Sequence, residues 1–265
     1  MKIAIVGGGV MGEAIVGALL AKGVAGAQEV AVAEVLSERR RHLADRYGVA
    51  DHAQAAEAVR DADLVVLAVK PQEFPAAARS LAADGDRVFL SIMAGVPLRA
   101  LAAGLGSQRL VRAMPNTPAQ IGEGVTVWTA TAAVDGDARE LVRRVLGALG
   151  HEVYVDDEKY VEMATAVSGS GPGFVFLLLE ALVDGAVHIG LPRPLATDLV
   201  YRTVAGSVRY AQATGRHPAE LRAQVTSPGG TTAAGLLALE RGGVRGALVE
   251  AIAAAYRRAL ELGGQ

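Results

Sequence analysis

At 265 residues, 51% hydrophobic and 20% charged, the chain is long enough to bury a sizeable core and too apolar to be disordered. Its net charge of −2, with no basic stripe interleaved with aromatics, excludes a general attraction to nucleic acid. The absence of cysteine excludes disulfides, thiolate catalysis and thiolate-bound metal, and the five isolated histidines (His42, His52, His151, His188, His217) lack paired ligand spacing.

Residues 2–6, KIAIV, read as a buried parallel strand. A strand beginning at Lys2 leaves no room for a signal peptide, so the expected compartment is the cytoplasm. The strand runs into GGGVMGEAI, with Gly7, Gly9 and Gly12 at G-x-G-x-x-G spacing, an amphipathic helix after it and a second strand near 29–33. That context makes the glycines a dinucleotide fingerprint. Gly7 allows the tight turn, Gly9 the approach of a pyrophosphate, and Gly12 close packing of helix on strand. Glu34 ends the second strand, where an acidic side chain bonds the adenosine ribose hydroxyls and favours NAD. Ser37, Arg39, Arg40 and Arg41 follow and could instead reach a phosphate, so NADPH and NADH both stay open as the cofactor.

A helix is predicted over 37–47 and a short one near 53–60. DLVVLAVK (63–70) is the next buried strand, and Pro71 suits the first turn of the helix after it. Val69, Lys70 and Pro71 therefore lie beyond a strand's carboxyl end, where ligands bind in such sheets, with a backbone role favoured for the loop. VFLSIM (88–93) is a strand ending at Ala94-Gly95, and RLVRA (109–113) is another. MPNTPAQIGEG (114–124) is a rigid polar loop of the kind on which sites are built, or else a plain connection to the strand GVTVWTA. A helix over 135–149 and the edge strand HEVYV (151–155) complete this half.

Past Asp156-Asp157 only helical periodicity remains. The predicted division is 1–156, a dinucleotide-binding domain, and 157–265, a helical domain. SGSGPGF (168–174) reads as a glycine-rich kink before a helix that is apolar nearly all round except for Glu180, Asp184 and His188. Those interruptions make it a poor membrane span, and its apolar surface is expected to be buried, partly by another subunit. GLPR (190–193) breaks the chain, and a helix follows to about 214. VTSPGGTTAAGLLALE (225–240) then places a turn of Ser227, Pro228, Gly229 and Gly230 before Thr231, Thr232 and a helix. Unpartnered N–H groups and a positive dipole end suit a small carboxylate there, with a threonine hydroxyl to steer its neighbouring atoms. A bare helix–helix turn capped by threonine is the competing view.

GGGVMGEAI, Val69-Lys70-Pro71, MPNTPAQIGEG, SGSGPGF, GLPR and above all VTSPGGTTAAGLLALE resemble the landmarks of the pyrroline-5-carboxylate reductase family, in the family's order across almost the whole chain. The resemblance implies an α/β fold: an N-terminal Rossmann-type doubly wound sheet followed by an all-α dimerisation domain, assembled as a dimer or a ring of dimers. It implies hydride delivery from NADPH or NADH to the imine carbon of 1-pyrroline-5-carboxylate, giving L-proline. Carried over by position, the amides of Gly230 and Thr231 hold the substrate carboxylate, with Ser227 and Gly229 in the same turn. Thr232 presents its hydroxyl to the ring nitrogen as the catalytic group, and Gln224 contacts substrate or cofactor. Cofactor contacts fall on Gly7, Gly8, Gly9, Val10, Met11, Gly12, Glu34, Val69, Lys70, Pro71 and Ala94. Two departures from the family stand out: Glu34-Val35 replaces the small or basic neighbourhood of NADPH-preferring members, and Gly173 stands where alanine is usual.

A β-hydroxyacid dehydrogenase shares this domain order but needs a lysine early in the helical half. Only Lys2, Lys22, Lys70 and Lys159 are present, and Lys159 lacks the expected asparagine pairing. A non-catalytic NAD(P)-binding sensor would have no need of a carboxylate pocket at 227–232.

Overall fold

The computed structural model describes residues 2–81 and 86–264. Two compact units divide it: one runs to Pro172 and takes up the chain again from Ala254, and the other is Gly173–Ala253.

The first unit is built on a sheet of eight strands among the described residues: β1 (Ile3–Val6), β2 (Val30–Ala33), β3 (Ala50–His52), β4 (Leu64–Leu67), β5 (Val88–Ser91), β6 (Leu110–Met114), β7 (Gly124–Ala130) and β8 (Gly150–Tyr154). Their order is 3-2-1-4-5-6-7-8, and every pair is parallel except β6 with β7. This is the expected Rossmann-type α/β sheet, with its order reversing between β1 and β4. The strands β1, β2, β4 and β5 are almost wholly apolar because both faces are covered. Ile3 and Ile5 point into one core with Val32, Val66 and Leu90, while Ala4 and Val6 point into the other with Val65, Leu67 and Phe89. Helices α1 (Val10–Ala21) and α2 (Ser37–Tyr47) cover the first face through Ile15, Val16, Leu19 and Leu43. α3 (Ala55–Ala58), α4 (Phe74–Ser80) and α5 (Leu98–Leu105) cover the second through Ala58, Phe74, Leu101 and Leu105. α6 (Gly136–Gly147) returns to the first face with Val142, Val145 and Leu146. Each large aliphatic side chain so buried contributes about 1.5–3 kcal/mol.

The strand at 50–52 lies where sequence reading placed nothing, and the helix expected near 53–60 shrinks to α3. Ala-Asp-His carries no β-propensity and sits at the sheet edge; its pairing with Ala31, Val32 and Ala33 makes it a strand. The glycine-rich kink also differs from expectation. α7 (Lys159–Ala164) passes through a π-type turn at Thr165–Gly169, closed by the Ser170 N–H donating to the Thr165 carbonyl at 2.8 Å, into α8 (Gly171–His188). The helix widens by one residue and carries on. Lys159–His188 is therefore one helical run, by length and composition long and apolar enough to cross a membrane.

The second unit holds α8 from Gly173, α9 (Arg193–Thr214), α10 (Pro218–Gln224), α11 (Thr231–Arg241) and α12 (Val244–Leu262) as far as Ala253. Within one chain the apolar face of α8 stays open. Phe176, Leu177 and Leu182 are more than half exposed, and Val183 alone of this helix is buried.

Candidate active site

The glycine loop takes its shape from contacts that admit no side chain. Gly7 has a φ of 106°, and a Cβ there would lie 2.6 Å from the Ala68 carbonyl oxygen. A Cβ on Gly12 would lie 2.0 Å from the Gly7 carbonyl oxygen, so α1 can leave β1 at this angle only with glycine. Gly9 differs: nothing lies within 4 Å of the position its Cβ would take. The first bond of α1 runs from the Glu13 N–H to the Gly9 carbonyl at 2.9 Å, leaving the amides of Val10, Met11 and Gly12 at the helix's positive end. Open space over Gly9 beside these donors fits a pyrophosphate.

Glu34 follows β2 and is held on both oxygens: Oε2 accepts from the Gly8 N–H and Oε1 from the Leu36 N–H, each at 2.9 Å. The arginines after it turn inward. Arg39 Nε donates to the Gly8 carbonyl at 2.6 Å and its Nη2 pairs with Glu13, while Arg40 Nη1 donates to the carbonyls of Glu34 (2.8 Å) and Val35 (3.1 Å). Glu13 is also met by His42, Arg46 and Tyr47. Burial raises the Glu13 pKa, but the bonds from His42 and Arg39 more than offset this and hold it below the ordinary value. A cavity of about 440 Å³ opens beside Glu34, walled by Gly7, Ala53, Gln54, Ala55 and Ala77 and reaching Glu73. Gly7 was named from the sequence, whereas Ala53, Gln54, Ala55 and Ala77 were not, since alanines carry no chemical signal and β3, which positions Ala53–Ala55, was unseen.

Val69 and Lys70 lead from β4 into a 3-10 turn at Pro71–Glu73, and the Lys70 N–H faces Glu73 Oε2 at 3.3 Å. Val69 borders the cavity, whereas Lys70 is exposed. Ala94 is half-buried in the turn after β5, and at the neighbouring Gly95 (φ 71°) a Cβ would lie 2.9 Å from Leu262 Cβ. The polar loop at 114–124 serves the fold. Asn116 Oδ1 accepts from the Val125 N–H at 2.9 Å and its Nδ2 donates to the Ser168 carbonyl at 3.0 Å, stapling the loop to the π-type turn.

In the second unit, Ser227–Gly230 is a turn closed by the Gly230 N–H donating to the Ser227 carbonyl at 3.0 Å, with Gly229 left-handed at φ 71°. This corrects one expectation: the Gly230 amide is spent inside the turn. α11 begins with its first bond from the Ala234 N–H to the Gly230 carbonyl, so the donors left at its N-terminus are the amides of Thr231, Thr232 and Ala233. Neither threonine hydroxyl caps this helix, whose N-cap is Gly230. Thr231 is exposed and Thr232 half-buried. The Gln224 amide faces the guanidinium of Arg216 within its own unit, and with its oxygen and nitrogen exchanged the oxygen accepts from Arg216 Nη2 at 3.1 Å. Of the α8 stripe, Asp184 pairs with Arg193 at 2.9 Å, and Glu180 and His188 are exposed. Lys159 pairs with Asp157 at 2.8 Å, a surface contact that does not suit it to the role a hydroxyacid dehydrogenase needs.

Residues 158–262 match the family model described as pyrroline-5-carboxylate reductase dimerisation, and residues 2–95 match one described as NADP oxidoreductase, coenzyme F420-dependent. The pyrroline-5-carboxylate reductase of Synechocystis is 42% identical over 264 residues, 99% of this chain and 98% of that protein. The chain belongs to the pyrroline-5-carboxylate reductase family. Solved reductases agree in fold. The one from Coxiella burnetii superposes with a TM-score of 0.90 at 34% identity, covering 98% of each chain. The Plasmodium falciparum pyrroline carboxylate reductase, which has NADP bound, does so at 0.89 and 27% identity over 99% of this chain and 98% of that one.

Proposed function

We infer that this reductase converts 1-pyrroline-5-carboxylate to L-proline with NADPH or NADH, using the glycine loop of the first unit for the coenzyme and the turn at 227–232 of the second for the substrate. The observation that carries the substrate assignment is the N-terminus of α11, where the amides of Thr231, Thr232 and Ala233 precede the first helical bond and follow a turn that has used its own Gly230 donor.

When bound, the nicotinamide supplies the hydride. The chain's part is to bind, orient and support charge. The amides of Val10 and Met11 at the end of α1 would hold the pyrophosphate, and the backbone of Val69–Pro71 and Ala94 would contact the coenzyme. The amides of Thr231 and Thr232 hold the substrate carboxylate, where the dipole of α11 favours negative charge. Gly229 and Gly230 keep side chains out of that approach. The Thr232 hydroxyl, one residue into the helix, meets the ring nitrogen and supports its proton as the carbon is reduced. Each anchor restrains its own reactant, the kind of positioning on which hydride transfer depends.

The division of labour falls near residue 156, a reading supported by the end of β8 at Tyr154 and the start of the dimerisation match at 158. The exposed Phe176, Leu177 and Leu182 on α8 support self-association through this helical half, as a dimer and then a ring of dimers in the cytoplasm. A membrane role for Lys159–His188 is disfavoured by Glu162, which lies within that run and is paired with Arg112 of β6.

Oxidation of NADPH and of NADH in the presence of 1-pyrroline-5-carboxylate tests the assignment directly. Rapid turnover with at least one coenzyme is expected. Tight coenzyme binding without turnover would replace the reductase reading with that of a coenzyme sensor.

A further inference from the structure

Resting on the reductase reading, we infer that the pocket beside Glu34 selects NADH over NADPH, and that Glu34 is the selecting residue. Three observations converge. The Glu34 carboxylate is not a loose side chain: the Gly8 and Leu36 amides each donate to one of its oxygens, and swinging away from a phosphate would break both bonds. The cavity it borders has a second carboxylate, Glu73, and no lysine or arginine in its described lining. Of the three arginines that follow in sequence, Arg41 is exposed and does not line this cavity, and the other two are committed elsewhere. Arg39 is held by the Gly8 carbonyl and Glu13, and Arg40 by the carbonyls of Glu34 and Val35 and, at 3.6 Å, by Asp51.

A fixed carboxylate with spare lone pairs accepts hydrogen bonds from ribose hydroxyls. It repels a 2′-phosphate placed in the same position, and nothing in the described lining offsets the charge. Freeing Arg39 to answer the phosphate would break its bond to the glycine loop and leave Glu13 short of a donor. Val35, 81% exposed at the lip of the cavity, stands where a cation would be useful and supplies none.

The test is calorimetric titration of the purified full-length protein with NADH and with NADPH, alongside turnover with 1-pyrroline-5-carboxylate. NADH is expected to bind at least about tenfold more tightly at low ionic strength. Glu34→Gln, which removes the charge while keeping an acceptor for one backbone amide, should narrow that ratio by tightening NADPH binding. Val35→Arg, which leaves the clamp on Gly8 intact, should narrow it as well, and the gain should shrink with added salt. Equal or tighter binding of NADPH to the unaltered protein would overturn the inference, as would an unchanged ratio in both variants. Failure of the reductase reading has a different signature: no turnover with either coenzyme, whatever the two dissociation constants.

Discussion

Arg112 of β6 and Glu162 of α7 form an ion pair at 2.7 Å between Nη2 and Oε1, with 2% and 3% of their side chains exposed. Nη1 of the same guanidinium reaches Glu158, whose Oε1 also accepts from the Leu98 N–H at the start of α5. One cation thus ties the sheet to the helix that leads into the π-type turn. Replacing Arg112 by alanine leaves two carboxylates around an emptied site, and breaking a buried pair in this way costs about 3–5 kcal/mol. Chemical denaturation should show that loss. The double variant Arg112→Met, Glu162→Leu should recover most of it, because an apolar pair of similar volume has no desolvation penalty.

Gly12→Ala and Gly9→Ala separate folding from binding in the same loop. The Cβ at residue 12 collides with the Gly7 carbonyl, so this variant should lose stability by at least about 1–3 kcal/mol and lose coenzyme binding with it. The Cβ at residue 9 meets nothing in the protein. That variant should stay within about 1 kcal/mol of the original, the cost of alanine at an N-cap, and still bind coenzyme more weakly. Thermal unfolding with and without NADH measures both effects.

Thr232→Ala should lower kcat on the order of 10²-fold while leaving the dissociation constant for coenzyme unchanged, since the role proposed for the hydroxyl is at the imine nitrogen. Thr232→Ser keeps the hydroxyl and should keep most of the rate. An unchanged kcat in the alanine variant removes Thr232 from the mechanism.

Glu13 gives the fold an acid limb. Its carboxyl is held below its ordinary value of 4.5, with burial opposing and the donors on α2 prevailing. A depressed carboxyl stabilises the native state above the unfolded value, and that contribution is lost as pH falls through the folded one. Stability should therefore drop as pH goes below 4.5, and Glu13→Gln should flatten the drop. At neutral pH the same variant should cost about 1–3 kcal/mol, the worth of hydrogen bonds to a charged group. Denaturation midpoints for both proteins from pH 7 to pH 3 check the prediction.

Much of the molecule was legible in the chain because its signals are local. The apolar runs at 2–6, 63–70 and 88–93 mark strands buried on both faces, the spacing of Gly7, Gly9 and Gly12 marks the tight strand–helix turn, and Ser-Pro-Gly-Gly-Thr-Thr marks an open helix start. What only the tertiary structure decided depends on partners distant in sequence. β3 exists through pairing with β2, and Asn116 becomes a staple because Val125 and Ser168 converge on it. Arg39 and Arg40, which could have answered a phosphate, are bound instead to Glu13 and to backbone carbonyls near Glu34. A motif states which groups a short stretch presents; which of those groups remain free is settled by the hydrogen bonds and charges that folding brings to them.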